Sequence, residues 1–219
     1  MHTFKKVLLA AGCLVVGSLP SQASQAVAIF AMFEENTGKA HLHESVSGCT
    51  VARQGDIVKR QGNMELPDAT RFALVSCDSE QLGQKGYADQ LFAHADPVIM
   101  VEGGLKFLSE NADAPGANKR SYIMKLSHYN NVDPKAREAD FNALGKAVDG
   151  LADQYQAEAF VDVRRAVGMQ TPDEVAAIYY DSPEAGNRFR ENNGPILQKV
   201  GAFNKTHMDS FVYFYAKMD

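Results

Sequence analysis

The last predicted strand of the chain is apolar on both of its faces, and this feature constrains the fold more than any other. The segment DSFVYFYAKM, Asp209 to Met218, places aromatic or aliphatic side chains at consecutive positions. Successive side chains of a strand point to opposite faces of the sheet, so such a strand is buried on both sides. We therefore expect a sheet that is covered on both faces.

The elements that precede this strand form a regular series. SYIMKLSHY, Ser121 to Tyr129, predicts a strand, and Asp133 before a proline predicts the start of a helix. Two further strands are predicted at Phe160 to Gly168 and at Val175 to Tyr180, and an interrupted helix leads into the last strand. The order β-α-β-β-α-β is that of the ferredoxin-like split unit, so the predicted fold class is α+β.

Two segments of this region carry a resemblance to a known superfamily. They are YYDSPEAGNRFREN, Tyr179 to Asn192, and FVYFYAK, Phe211 to Lys217. From Ser121 to Asp219 the chain resembles the dimeric α/β-barrel superfamily, which includes the antibiotic-biosynthesis monooxygenase family. The resemblance implies that two sheets face each other, in a homodimer or within one chain, and enclose a cavity for a small ligand.

The first half of the chain offers a candidate for the second sheet. GNMELPDATRFALVSCDSEQ, Gly62 to Gln81, parallels VGMQTPDEVAAIYYDSPEA, Val167 to Ala185, since each has a glycine, a Pro-Asp turn, an apolar strand and then Asp-Ser. AVAIFAMFEE, Ala26 to Glu35, and PVIMVEGGLKFL, Pro97 to Leu108, would be the first and last strands. A degenerate tandem repeat would build a pseudo-dimeric α/β barrel from one chain. The alternative is a chance similarity of two short pieces.

The chain divides by composition into four predicted regions. The segment LSENADAPGANKR is polar and unpatterned, which is typical of a linker. The regions are a signal peptide (1–23), an N-terminal α+β domain (24–107), the linker (108–120) and a ferredoxin-like domain (121–219).

The first 23 residues have the features of a cleavable signal peptide. Lys5 and Lys6 precede an apolar run, Val7 to Val16, that is about half the ~20 residues of a membrane-spanning helix. Small residues place the cleavage after Ala23 or Ala26. We therefore predict a periplasmic or secreted protein with no membrane span, whose charge falls from −5 to about −7 on processing.

The sequence has no cluster of lysines and arginines of the kind that binds the phosphate backbone of a nucleic acid. Nucleic acid is therefore not an expected partner.

Two cysteines and two histidines bear on whether the chain contains a disulfide or a metal site after its first predicted strand. Cys49 and Cys77 remain after cleavage, and an even number in an oxidising compartment predicts a disulfide. In KAHLHES, His41 and His43 would share one face of a strand, a geometry that suits zinc or copper. No further ligand stands at a diagnostic spacing, so we expect no metal and no cofactor.

Strand parity indicates a candidate ligand site. In SYIMKLSHY and FVDVRRAVG, aliphatic side chains occupy one face and polar side chains are mixed into the other. We expect the aliphatic faces to pack on the helices and the mixed faces to line a barrel. The predicted ligand-binding residues are Lys125, Ser127, Tyr129, Asp162, Arg164, Tyr213 and Tyr215. A buried cation there needs a partner, from Asp162 or an acidic ligand. The alternative is a structural ion pair at a wet sheet face.

Two functions of different classes fit these features. The first is a periplasmic small-molecule-binding or accessory protein, whose barrel cavity holds a partly apolar ligand without chemistry. The alternative, implied by the resemblance, is a cofactor-independent monooxygenase or isomerase acting on an aromatic or polyketide-like substrate. Such an enzyme needs a group that moves a proton, such as His128, Tyr129 or a lysine of lowered pKa. The sequence shows no unmistakable acid–base pair, so binding ranks first.

Overall fold

The computed structural model describes residues 27–34, 45–46, 48–78, 97–109 and 119–218. The predicted signal peptide and most of the predicted linker lie outside these ranges, as do His41 and His43 of the KAHLHES stretch.

Strands make up most of the described residues. They are β1 (Val27–Phe33), β2 (Ser45–Val46), β3 (Cys49–Gly62), β4 (Arg71–Cys77), β5 (Pro97–Leu108), β6 (Ser121–Tyr129), β7 (Gln156–Val167), β8 (Glu174–Tyr180) and β9 (Met208–Met218). The helices of the described ranges are α1 (Pro134–Val148), α2 (Pro183–Asn192) and α3 (Gly194–His207).

Eight of these strands form one closed antiparallel barrel. The order is β3-β4-β1-β5-β7-β8-β6-β9, and pairing of β3 with β9 closes the circle. Each half of the chain supplies four adjacent strands, while β2 forms a short hairpin with the start of β3. The division into domains at 24–107 and 121–219 stays a prediction.

The barrel corrects the predicted fold class. The described chain is a closed eight-stranded barrel of mostly strands with three helices, so the predicted ferredoxin-like α+β class is wrong. The reason lies in β3, which is 14 residues long and pairs with β4 over its first half and with β9 over its second. Gly55 makes this closure fit, because a Cβ there would collide with the carbonyl oxygen of Lys217.

Several predicted elements are confirmed at their predicted positions. β6 spans the predicted residues, and the side chain of Asp133 accepts hydrogen bonds from the backbone of Lys135 and Ala136 at the start of α1. The predicted interruption of the second helix falls at Asn193, between α2 and α3.

The inside of the barrel is a packed apolar core. A barrel of eight strands is just wide enough for side chains to fill it, and apolar side chains from all eight strands point inward. Residues from both halves meet there, including Phe30, Phe72, Met124, Leu126 and Phe214. A small cavity of about 10 Å³ remains, about the room of a single water molecule.

The predicted disulfide is confirmed. Cys49 on β3 and Cys77 on β4 stand directly opposite each other in the strand register, and their sulfurs are bonded. A disulfide is compatible with an oxidising compartment. No helix in the described ranges is long and apolar enough to cross a membrane.

Candidate active site between the sheet and the helices

The mixed face of β6 points toward the helices and not into the barrel. Tyr122, Met124 and Leu126 belong to the barrel core, so Lys125 and Ser127 lie on the outer side. These polar residues were predicted to point into the barrel. That prediction is wrong, because they lie on the opposite face of the strand. The physical reason is that a barrel this narrow fills with apolar side chains, which leaves the polar ones to the helix-covered face.

Six polar or aromatic residues meet on this outer side, and we call them the helix-side cluster. They are Lys125, Ser127, Tyr129, Glu174, Asn204 and Tyr213. Strands β6, β8 and β9 supply five of them through neighbouring register positions, and α3 supplies Asn204.

Lys125 lies at the centre of the cluster and is partly buried. It pairs with Tyr213 across β6 and β9, and its Nζ lies 5.9 Å from the centre of the Phe203 ring on α3. Burial lowers the pKa of Lys125 below its ordinary value, and the charge of Glu174 opposes that shift. The amine is thus neutral in a larger fraction of molecules than a surface lysine is.

Glu174 is the buried acid of the cluster. It begins β8 opposite Ser127 in the register, and it is 5% exposed. The phenol of Tyr129, two residues further along β6, donates a hydrogen bond to Glu174 Oε2. Burial raises the pKa of Glu174, while the positive charge of Lys125 lowers it in part.

Two buried polar atoms of the cluster have no hydrogen-bond partner among the described residues. They are Ser127 Oγ and Asn204 Oδ1. The amide nitrogen of Asn204 is occupied, because it donates to Tyr213 Oη at 2.9 Å. Burial raises the pKa of Tyr213 to about 12, so this phenol keeps its proton at neutral pH. Buried groups of this kind are costly unless something bonds to them, which favours a polar ligand at this place.

The structure brings together four of the seven predicted ligand-binding residues and separates the other three. Asp162 is 65% exposed and forms an ion pair with Lys106 at 3.3 Å, and Arg164 is also exposed on β7. Tyr215 lies further along β9, where its hydroxyl donates to Gln61 Oε1 at 3.3 Å. The positive charge of Lys106, like that of Lys125, lowers the pKa of Glu174 in part.

Glu174 and Asn204 were missed by sequence reasoning. Glu174 was assigned to the turn TPDE, but it is the first residue of the strand that follows. Alternation along that strand places its side chain on the face that the helices cover. Asn204 lies on α3, and its buried position depends on how that helix packs on β9. The alternation of β8 could have indicated Glu174, whereas no pattern in the sequence indicates Asn204.

The chemistry available here is proton transfer. A partly neutral lysine can accept a proton, and the adjacent Glu174–Tyr129 pair can take up or supply one. Within the described ranges no group of three or more His, Cys, Asp or Glu side chains is arranged to hold a metal ion.

Comparison with solved structures shows a weak similarity that is limited to the fold. An anthrone oxidase-like protein has a TM-score of 0.51 and 10% identity over 89% of this chain and 90% of that chain. A provisionally assigned monooxygenase from Lactobacillus acidophilus NCFM has a TM-score of 0.46 and 9% identity over 88% and 93% of the two chains. A variant of DypB from Rhodococcus jostii RHA1 in complex with heme has a TM-score of 0.41 and 10% identity over 90% and 94%. The sequence matches no protein-family model and no curated protein.

Proposed function

We propose that the protein is an enzyme that removes a proton from an activated C–H group of a small aromatic substrate and lets dioxygen react with the resulting carbanion. The observation that carries this proposal is the partly buried Lys125, with its lowered pKa, beside the buried Glu174–Tyr129 pair. These residues are our candidates for the acid–base pair that the sequence alone did not reveal. The packed barrel interior does not hold a substrate of this size, since its small cavity is about 10 Å³.

Four residues of the cluster have a role in the proposed reaction. Lys125 is the general base that accepts the proton at Nζ, because its lowered pKa keeps part of it neutral. Glu174 is the adjacent carboxylate that stabilises the ammonium ion formed, and Tyr129 holds that carboxylate by a hydrogen bond. Asn204 Oδ1, which has no hydrogen-bond partner among the described residues, accepts a hydrogen bond from a phenolic hydroxyl and so orients an aromatic substrate.

The overall reaction balances with dioxygen as the only other reactant. A methylene between aromatic rings loses a proton to Lys125, and the carbanion adds to dioxygen to give a peroxide anion. This anion takes the proton back from Lys125 and becomes a hydroperoxide. Loss of water from the hydroperoxide leaves a ketone, so that CH₂ and O₂ become C=O and H₂O. One oxygen atom enters the product and the other leaves as water. The carbon is oxidised by four electrons, and dioxygen accepts all four.

Two further observations support the proposal and its setting. The solved structure with a TM-score of 0.51 is an anthrone oxidase-like protein, and an anthrone carries a methylene of this kind. The Cys49–Cys77 disulfide supports a periplasmic or secreted location, together with the signal-like first 23 residues of the sequence.

Oxygen uptake with anthrone as the probe tests the proposal. We expect wild type to consume one dioxygen per quinone formed, and we expect Lys125→Met to be slower by about 100-fold or more. Lys199→Met, which removes an exposed lysine on α3, is the matched control and should keep full activity. Saturable binding of anthrone without turnover would identify a binding protein instead, and absence of both would overturn the proposal.

A further inference from the structure

A serine and a histidine form a hydrogen-bonded pair at one end of the barrel, on the opposite face of β6 from the helix-side cluster. Ser210 on β9 and His128 on β6 stand directly opposite each other in the strand register. They lie two residues beyond the core pair of Leu126 and Val212 and on the same face, so they point toward the mouth of the barrel. Both are partly exposed, and the proposed reaction makes no use of them.

The contacts of His128 indicate which of its ring nitrogens carries the proton. Nε2 lies 3.3 Å from the carbonyl oxygen of Gln170, and a carbonyl oxygen only accepts, so Nε2 is the donor. In a neutral imidazole the other nitrogen, Nδ1, is then an acceptor. It lies 2.8 Å from Ser210 Oγ, which donates to it. The serine hydroxyl therefore faces a base that a third group holds in orientation, which is the arrangement of an activated nucleophile.

The side chain of Asn63 bonds to the backbone on both sides of Ser210. Its Nδ2 donates to the carbonyl oxygen of Asp209 at 3.3 Å, and its Oδ1 accepts from the backbone N–H of Phe211 at 2.9 Å. The contact with Asp209 uses one of the two protons of this nitrogen, so the second can serve another acceptor. An amide donor next to a nucleophile can stabilise the oxyanion that forms during acyl transfer.

Two methionines adjoin these residues in the chain and supply apolar surface. Met64 follows Asn63, and its backbone N–H donates to the carbonyl oxygen of Phe211 at 3.2 Å. Met169 precedes Gln170, and it packs against the barrel core to which Met64 belongs. Methionine side chains adapt to apolar groups of different shapes, so they suit the apolar part of a small acyl compound.

We propose that Ser210 is the nucleophile of an acyl-transfer site that hydrolyses activated esters of short carboxylic acids. His128 takes the hydroxyl proton at Nδ1 while Ser210 Oγ attacks the carbonyl carbon of the ester. Asn63 Nδ2 donates to the oxyanion that forms. The bond from the carbonyl carbon to the alcohol oxygen then breaks, and the alcohol leaves with the proton from His128. The acyl group stays on Ser210 Oγ.

Water completes the cycle. His128 Nδ1 accepts a proton from water, and the water oxygen attacks the carbonyl carbon of the acyl group. The acid leaves, and Ser210 Oγ recovers its proton from His128. Ester and water thus become acid and alcohol, without any oxidation or reduction. The reaction needs no dioxygen, so this proposal and the proposed function can fail independently.

Covalent labelling with a fluorophosphonate tests the nucleophile. An activated serine oxygen attacks the phosphorus of this reagent, and fluoride leaves. We expect one adduct per chain, on the peptide that contains Ser210, as found by mass spectrometry. Ser210→Ala should not be labelled. The matched control is Ser121→Ala, which removes a partly exposed serine at the other end of β6 and should be labelled like wild type.

Hydrolysis of p-nitrophenyl acetate tests the reaction. Wild type should release p-nitrophenolate faster than buffer does, at the same rate under air and under nitrogen. Ser210→Ala and His128→Ala should each lose about 100-fold or more of this enzyme-dependent rate, because either change removes the activated nucleophile. Ser121→Ala should retain the rate.

Four results would overturn the proposal. They are a label on another residue or on none, a label on Ser210→Ala equal to that on wild type, a wild-type rate no higher than that of buffer, and an unchanged rate in His128→Ala. The mapped label and the ester rate of wild type decide the question even if a variant does not fold.

Discussion

The phenol of Tyr129 on β6 donates a hydrogen bond to the buried carboxylate of Glu174 on β8, on the face of the sheet that the helices cover. This bond joins an acid of raised pKa to a phenol, beside a lysine of lowered pKa. Burial moves the two pKa values toward each other, which is the usual way in which proteins prepare groups for proton transfer near neutral pH.

Lys125 should make the protein more stable as the pH rises toward 10.5. Burial places the pKa of its folded state below its ordinary value of 10.5, so between the two values the unfolded state binds more protons. Unfolding in urea at several pH values should show this rise in wild type and its loss in Lys125→Met. Lys199→Met should keep the rise. A Lys125→Met profile that parallels wild type would contradict the burial of this amine.

Glu174 should act in the opposite direction at acid pH. Its pKa in the folded state is raised above 4.5, so its contribution to stability is present below 4.5 and is lost as the pH rises through the folded value. Glu174→Gln should remove this loss. The same change should lower the pKa of Lys125 further, because the opposing carboxylate is gone. NMR titration of labelled lysine measures that shift, and an unchanged Lys125 titration would refute the coupling.

Two acidic residues on β7 should differ strongly in their effect on stability. Glu158→Ala leaves Arg53 and Arg120 without their buried carboxylate, which costs about 3–5 kcal/mol of unfolding free energy. Asp162→Ala breaks an exposed pair with Lys106, worth about 1 kcal/mol or less. Chemical denaturation of the two variants checks the difference. Equal losses would mean that burial does not separate the two sites.

The disulfide should stabilise the first half of the barrel. Cys49 and Cys77 are 28 residues apart, and a loop of that size corresponds to about 3–4 kcal/mol in the chain-entropy model. Replacing both cysteines by serine should lower the unfolding free energy by that amount in urea. Addition of a reductant should change wild type in the same direction and leave the double variant unaffected. Equal stability of wild type and the double variant would show that the bond is dispensable.

The sequence predicted local elements well because their signals are local. The Asp133 cap of α1, the bounds of β6 and the break at Asn193 each depend on a few adjacent residues. The disulfide followed from an even cysteine count. Closure of the barrel did not follow, since it depends on the pairing of β3 with β9, whose partners such as Gly62 and Val212 are far apart in the sequence.

The candidate site was predicted in part and on the wrong side of the sheet. Parity grouped Lys125, Ser127 and Tyr129 correctly, because alternation along a strand is fixed by its geometry. The face that points into the barrel depends on how wide the closed barrel is. The sequence of a single strand does not determine that width. Asp162 was expected beside Lys125, but it is exposed and pairs with Lys106.

The most direct test of the proposed function is proton exchange without oxygen. In anaerobic D₂O, wild type should exchange the methylene hydrogens of anthrone for deuterium faster than buffer does, as followed by NMR. Lys125→Met should lose about 100-fold or more of this enzyme-dependent rate, while Lys199→Met retains it. If Lys125→Met exchanges the hydrogens as fast as wild type, or if wild type does not exceed the buffer rate, Lys125 is not the base.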